Sequence, residues 1–249
     1  MPPRQAPRQA PRQAQPTFWR WLRNKLLHAA IWVVLATAVL ILPFRWINPP
    51  ITMFMAADRL HAAIARDRSY RFRHEWVALS DMSANVTVAV VAAEDQRFAS
   101  HFGFDVIEID KALQARRDNG GGRGASTISQ QTAKNLFLWS GHSWIRKGLE
   151  AWLTLWIEAC WTKNRILEVY LNSAEFGPGV FGVGAASKYF FGRRPGQLSV
   201  SESALLAAVL PNPIRFSVAA PSAKVRQRQQ WIERQIRALG GTSYLKLLE

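Results

Sequence analysis

The chain has 249 residues and a hydrophobic composition of 49%, enough apolar material for one large domain or two small ones, so disorder throughout is excluded. Its 32 Lys and Arg against 17 Asp and Glu give a net charge of +15 and a pI near 11.0, which suits a polyanion, an anionic membrane surface or an acidic substrate as partner. The single cysteine, Cys160, rules out an intramolecular disulfide framework and a cysteine-based zinc cluster, so folding rests on packing.

Residues 1–25 hold Arg4, Arg8, Arg12, Arg20, Arg23 and Lys25 and no acid, a charge of +6; the remaining 26 basic and 17 acidic residues leave +9. The tetrad Pro-Arg-Gln-Ala starts at Pro3, Pro7 and Pro11, a low-complexity stretch with nothing to bury, so 1–25 is expected to be a disordered basic tail. From Leu26 to Phe44 the only markedly polar residues are His28 and Thr37. At 1.5 Å per residue this makes about 28 Å of helix, close to the hydrocarbon thickness of a bilayer. The alternatives are a buried core helix and a cleaved signal peptide; against cleavage, the run is long and Arg45 and Trp46 follow it in place of a small-x-small site. Trp19, Trp21, Trp32 and Trp46 lie in or beside the segment, where aromatic residues mark membrane interfaces. A transmembrane helix over 26–46 is therefore expected, with the N-terminus cytoplasmic because the positive charges precede it.

Asn48-Pro49-Pro50 then breaks the helix. Residues 51–67 resume a helical pattern with Met53, Met55, Leu60 and Ile64, so 47–74 is expected to be a stalk or linker helix. Over 75–240, apolar helical stretches fall at 86–99, 104–117, 126–138, 143–160, 163–172, 179–189, 200–209 and 222–238, with few alternating strand patterns. A mostly helical domain follows. Gly120, Gly121, Gly122 and Gly124, and later Gly177, Gly179, Gly182 and Gly184, mark loops or close backbone approaches. Neither cluster fits a phosphate loop, since no Gly-Lys-Ser/Thr follows and no strand precedes.

Four segments carry candidate chemistry. The apolar run Val90-Val91-Ala92-Ala93 ends in Glu94 and Asp95, with Phe98, His101 and Gly103 behind. A carboxylate at the edge of a core is a setting for a general base; the alternative is a solvated helix end. His101 is open between substrate contact and a structural role. In Gly124-Ala125-Ser126-Thr127-Ile128-Ser129-Gln130-Gln131-Thr132-Ala133-Lys134-Asn135, Ser126 is the expected helix cap, and Gln130 and Lys134 share a face. Amide donors and an ammonium suit a sugar and a phosphate, although Gln130 is equally compatible with a structural role. Arg146, Lys147 and Glu150 come third, Arg146 and Glu150 being four residues apart and so able to form an intrahelical ion pair. In Lys163 to Asn172, Ile166, Leu167 and Tyr170 form a core stripe, so packing is the simpler role there.

In order, these segments match E-D-x-x-F-x-x-H-x-G, G-x-S-T-I-x-Q-Q-x-x-K-N, R-K-x-x-E and K-x-x-I-L-E-x-Y-L-N. The string resembles the family 51 glycosyltransferases, which polymerise peptidoglycan, and the stretch from Gly184 to Gly192 with Leu198, Glu202, Ala207 and Pro211-Asn212-Pro213 looks like a further block of that family. The resemblance covers roughly 75–215. It implies a mostly α, lysozyme-like domain with a large lobe and a small membrane-facing lobe, preceded by one transmembrane helix. With an anchor, only about 35 residues after Pro213, too few for a second catalytic domain, and no Lys-Thr-Gly, the chain is expected to be of the monofunctional kind without a transpeptidase domain.

The resemblance implies a donor glycan on undecaprenyl pyrophosphate and lipid II as acceptor, joined with inversion. Glu94 then matches the base that takes the acceptor 4-hydroxyl proton, and Glu150 the second catalytic carboxylate, orienting cations or holding a divalent ion, Mg or Mn. Asp95, Gln130, Gln131, Lys134, Asn135, Arg146 and Lys147 are the matching substrate-binding candidates, the cations facing the pyrophosphate. Membrane lipids and wall-synthesis or division proteins are the further expected partners, at a bacterial inner membrane with the catalytic domain periplasmic; no organic cofactor and no nucleic acid is expected. Trp139, Trp144, Trp152, Trp156 and Trp161 either dip into the interface or form a core stripe. The loop at Gly120 to Gly124 is a candidate lid over the donor site. The rivals are a glycan-cleaving lytic enzyme, which has no need of the cations, and a non-catalytic wall scaffold, which has no need of Glu94.

Overall fold

A computed structural model describes residues 18–119, 124–141 and 143–248. The repeats of the tail and the candidate lid at 120–123 lie outside them. The chain divides into two compact units, Met1–Leu40 and Ile41–Glu249.

In the first unit, helix α1 (Phe18–Ile41) starts at Phe18 rather than Leu26. Arg20, Arg23 and Lys25, assigned above to a disordered tail, are therefore helical; no proline or glycine interrupts this stretch, and long straight side chains suit a helix. The polar residues of the apolar run bond within the helix: His28 Nδ1 meets the Asn24 carbonyl and Thr37 Oγ1 donates to the Val33 carbonyl. Such satisfaction is what hydrocarbon requires. With the 3₁₀ turn Leu42–Arg45, this is one helix long and apolar enough to cross a membrane.

The second unit is built around α3 (Ala84–Glu94), capped by Ser83. Every residue from Val86 to Ala92 is buried, the mark of a helix enclosed on all sides. Each of Val86, Val88, Val90 and Val91 contributes roughly 1.5–3 kcal/mol of burial. The helix α9 (Val200–Val209), α10 (Ala223–Ala238) and the 3₁₀ segment Gly241–Leu248 pack around it. On the other side of the sequence, α5 (Ile128–Phe137) packs against α2 (Met53–Ile64), α6 (Trp144–Cys160) and α7 (Lys163–Ser173). The exposed helix α4 (Val106–Asn119) completes the stretch before residue 120.

Three departures from the expected elements have physical causes. The stretch 86–99 ends as α-helix at Glu94 because Asp95 takes φ −161°, leaving a short 3₁₀ turn at Phe98–Ser100. The stretch 179–189 is helical only from Gly182, as α8 (Gly182–Phe191). Ahead of it, β2 (Glu175–Gly177) and β3 (Val180–Phe181) form a small sheet with β1 (Arg73–His74), in the order β1-β3-β2. β1 runs parallel to β3 and β2 antiparallel to it. Gly182 has φ +80°, and a Cβ there would stand 2.8 Å from the Asn172 carbonyl oxygen, so only glycine fits that junction.

The stretch 47–74 is not a free stalk. Residues of β1 enter the sheet, α2 packs on α5, and the Tyr70 hydroxyl donates to Asp58 at 2.6 Å. Asn172 then ties the following segment down, accepting from the Val77 N–H at 2.8 Å and donating to the Val77 carbonyl at 2.9 Å.

Candidate active site

The C-terminal end of α3 delivers two adjacent carboxylates to different surroundings. Asp95 turns inward: its Oδ2 accepts the Ile128 N–H at 3.0 Å, and His101 Nε2 lies 2.9 and 3.0 Å from its two oxygens. Both side chains are buried, so His101 is bonded within the fold to Asp95, and Asp95, although it borders the cleft, ties α3 to the first turn of α5. Glu94 turns toward the cleft. Gln131 Nε2 donates to its Oε2 at 3.0 Å, and Arg228 Nη2 donates to its Oε1 at 3.2 Å. Each carboxylate oxygen is thus pinned by a donor from another helix, one from α5 and one from α10.

The first turn of α5 explains the two glutamines. Thr127, not Ser126, is the cap: its hydroxyl accepts the Gln130 N–H while Gln130 Oε1 accepts the Thr127 N–H at 3.0 Å. This reciprocal capping box consumes Gln130, which is buried and absent from the cleft wall. Gln130 thus serves as a capping partner here, and the face presented to the cleft is Gln131 with Lys134, one turn apart. Asn135 is buried and also off the wall.

Lys134 joins Glu94 to a second cluster. Burial lowers the pKa of its ammonium; Glu150 and Glu94 act to raise it, and Arg146 and Lys147 to lower it. Its charge is therefore felt by Glu94 and by all three residues of α6. There, Arg146 Nη1 lies 2.7 Å from Glu150 Oε2, Lys147 holds the other Glu150 oxygen, and Arg146 Nε donates to the Gly141 carbonyl at 2.7 Å. The Arg146 and Glu150 side chains are 9% and 4% exposed, so this is not the solvated helix pair that spacing alone allows. A buried carboxylate between two cations is held by them.

That arrangement bears on a divalent cation. Both Glu150 oxygens already accept from cations, Lys134 adds a third positive charge nearby, and among the described residues no group of three His, Cys, Asp or Glu side chains converges. The donor set around Glu150 suits an anion, not a resident metal ion. Two cations and one carboxylate leave this cluster net positive, and Lys134 adds to it.

A cleft of 730 Å³ runs along this region. Glu94, Gln131 and Lys134 line it beside Arg97, Glu108 and Lys111 on one side and Arg228, Trp231 and Gln235 on the other. Arg146, Lys147 and Glu150 do not line it and act on it through Lys134. Arg228 is the residue that local motifs miss: it stands 134 positions from Glu94, in a helix whose many arginines look alike in sequence. Tyr170 is the other, its hydroxyl donating to Gln131 Oε1 at 3.0 Å from within the stripe assigned to packing.

A carboxylate facing a cation-bordered cleft in a mostly helical domain is suited to taking a proton beside an anionic group, the arrangement of a group-transfer enzyme. The chain belongs to the Transglycosylase family, whose sequence profile it matches over residues 61–237. It is similar to proteins named biosynthetic peptidoglycan transglycosylase: one from Pseudomonas putida strain GB-1, 50% identical over 92% of this chain and 96% of that one; one from Pseudomonas aeruginosa PAO1, 49% identical over 92% and 99%; and one from Salmonella paratyphi B, 54% identical over 81% and 84%. The family match starts at residue 61, inside α2, in agreement with the integration of that segment into the domain.

Proposed function

We propose that this protein is a membrane-anchored peptidoglycan polymerase that lengthens glycan chains from lipid II. The observation that carries the proposal is the pairing of Glu94, held at the cleft by Gln131 and Arg228, with the positive field of Lys134, Arg146 and Lys147. Glu94 takes the proton from the acceptor sugar 4-hydroxyl as its oxygen attacks the anomeric carbon of the donor chain. The carbon–oxygen bond to the lipid pyrophosphate breaks, and the leaving group departs with the electron pair. The new charge on that pyrophosphate faces Lys134, with Arg146 and Lys147 behind it. Glu150 keeps those cations in place. Attack opposite the leaving group gives inversion, which needs one base and no carboxylate nucleophile.

The apolar helix α1 supports an anchored protein, and the positive charges ahead of the run support a cytoplasmic N-terminus at a bacterial inner membrane, with the catalytic domain outside. A lipid-linked substrate requires a cleft kept at the bilayer surface. The test is to incubate detergent-solubilised protein with labelled lipid II and size the products. Lysozyme-sensitive polymer is expected from the wild type and none from folded Glu94→Gln. Polymer at wild-type rate from Glu94→Gln removes the base, and cleavage of preformed glycan without polymerisation replaces the proposal with a lytic enzyme.

A further inference from the structure

Tyr170 is the one large aromatic side chain of α7 in the core, 1% exposed, and it cannot touch a substrate. Packing alone would be served by phenylalanine, and a buried hydroxyl is costly unless it is bonded. The phenol meets Gln131: it donates to Oε1 at 3.0 Å, and the amide nitrogen of the same carboxamide donates to Glu94 Oε2 at 3.0 Å. Three side chains from α7, α5 and α3 therefore form a directed chain of donors ending on the carboxylate.

The direction matters because a carboxamide is two-faced. Turned over, it would aim its oxygen at the Glu94 carboxylate, two acceptors facing one another. With the phenol donating, the oxygen is occupied on the far side and the NH₂ group is left for Glu94. Burial, with Glu94 and Asp95 nearby, pushes the phenol pKa well above its ordinary value, so the donor stays protonated through the working pH range. The charged groups that face this chain are Glu94 and Asp95 from the end of α3, Arg228 from α10 and Lys134 from α5.

We propose that Tyr170 is a positioning residue for the reaction: acting through Gln131, it fixes the carboxamide with its donor toward Glu94, and so keeps that carboxylate aimed at the acceptor hydroxyl. The proposal rests on Glu94 being the base. Lost aim lowers kcat and leaves KM, because the phenol and its amide partner act on the base and not on substrate binding.

The experiment measures lipid II polymerisation with the full-length detergent-solubilised protein, alongside thermal melting. Tyr170→Phe is expected to lower kcat about three- to tenfold, the worth of one hydrogen bond in such a chain, with KM within about twofold. Gln131→Met is expected to reproduce the loss of kcat, and the double variant to be little worse than Gln131→Met alone, since one chain is being cut twice. Wild-type kcat for Tyr170→Phe, a KM that rises in step with the loss, or effects that add to those of Gln131→Met, overturn the proposal. If Tyr170→Phe does not fold by thermal melting, folded Gln131→Met with wild-type kcat overturns it equally. Glu94→Gln measured alongside separates the two levels: an active Glu94→Gln removes the base, whereas an inactive one with an unaltered Tyr170→Phe removes only the positioning role.

Discussion

Replacing Glu150 by glutamine takes the one negative charge out of a buried group of cations. Arg146 and Glu150 are 2.7 Å apart with side chains 9% and 4% exposed, and breaking a buried pair by neutralising one partner costs about 3–5 kcal/mol. Two features reduce that here. Lys147, 42% exposed, can turn to water, and the glutamine oxygen still accepts one bond from Arg146. A loss of about 2–3 kcal/mol remains, a drop of about 5–10 °C in Tm for a domain of this size. A second effect is felt at Lys134. Burial already lowers its pKa and Glu150 is the leading group that opposes this, so removing the charge lowers it further. A lysine needed in its protonated form then loses its proton earlier as pH rises, and the basic limb of the polymerisation profile moves to lower pH. The assay is thermal melting in detergent together with lipid II turnover at pH 6 to 9. A Tm within 2 °C of wild type and an unmoved basic limb would refute both the burial of the cluster and its link to Lys134. A uniform loss of kcat at every pH, with the limb unmoved, would instead make Glu150 a group in direct contact with the reacting atoms.

Arg228→Gln is expected to lower kcat about tenfold or more, the scale of a charge-assisted hydrogen bond, and Arg228→Lys to recover part of it; equal activity of both with wild type would remove Arg228 from the site. Gly182→Ala is expected to destabilise the domain by about 2 kcal/mol or more, since φ +80° is unfavourable for alanine and its Cβ meets the Asn172 carbonyl at 2.8 Å. Melting curves that superimpose on wild type would refute that strain.

What sequence could disclose depended on how local its cause is. The helices α5 to α7 are fixed by neighbours within a few residues, and their bounds were legible to within a turn; so was the start of α3, whose end at Glu94 falls five residues short of the expected 99 because Asp95 leaves the helical region. Two-residue strands have no period to detect, so Arg73–His74 and Val180–Phe181 were hidden, and with them the integration of 47–74. The choice between Gln130 and Gln131 turned on one residue of capping. A helix starting at Ser126 leaves Gln130 facing the site, whereas Thr127 as cap makes Gln130 the reciprocal partner and rotates Gln131 outward. Arg228 was hidden for the opposite reason: its partner lies 134 residues away, and nothing within α10 distinguishes it from Arg226 or Arg234.

The contiguity of the second motif follows from this geometry. Thr127 and Gln130 close the start of α5, and Asp95 holds its Ile128 N–H, so the register of the helix is set against the end of α3, where Glu94 sits. Gln131 and Lys134 then project one turn apart toward the cleft, the first onto Glu94 and the second into the field of Arg146, Lys147 and Glu150. A single turn of helix thus couples the Glu94 carboxylate to the cation cluster of α6, which in the proposed reaction are the proton acceptor and the charge that receives the leaving group. Any shift of α5 along its axis misplaces both at once, which gives the dense bonding of its first turn, from Asp95 on one side and Tyr170 on the other, a catalytic consequence.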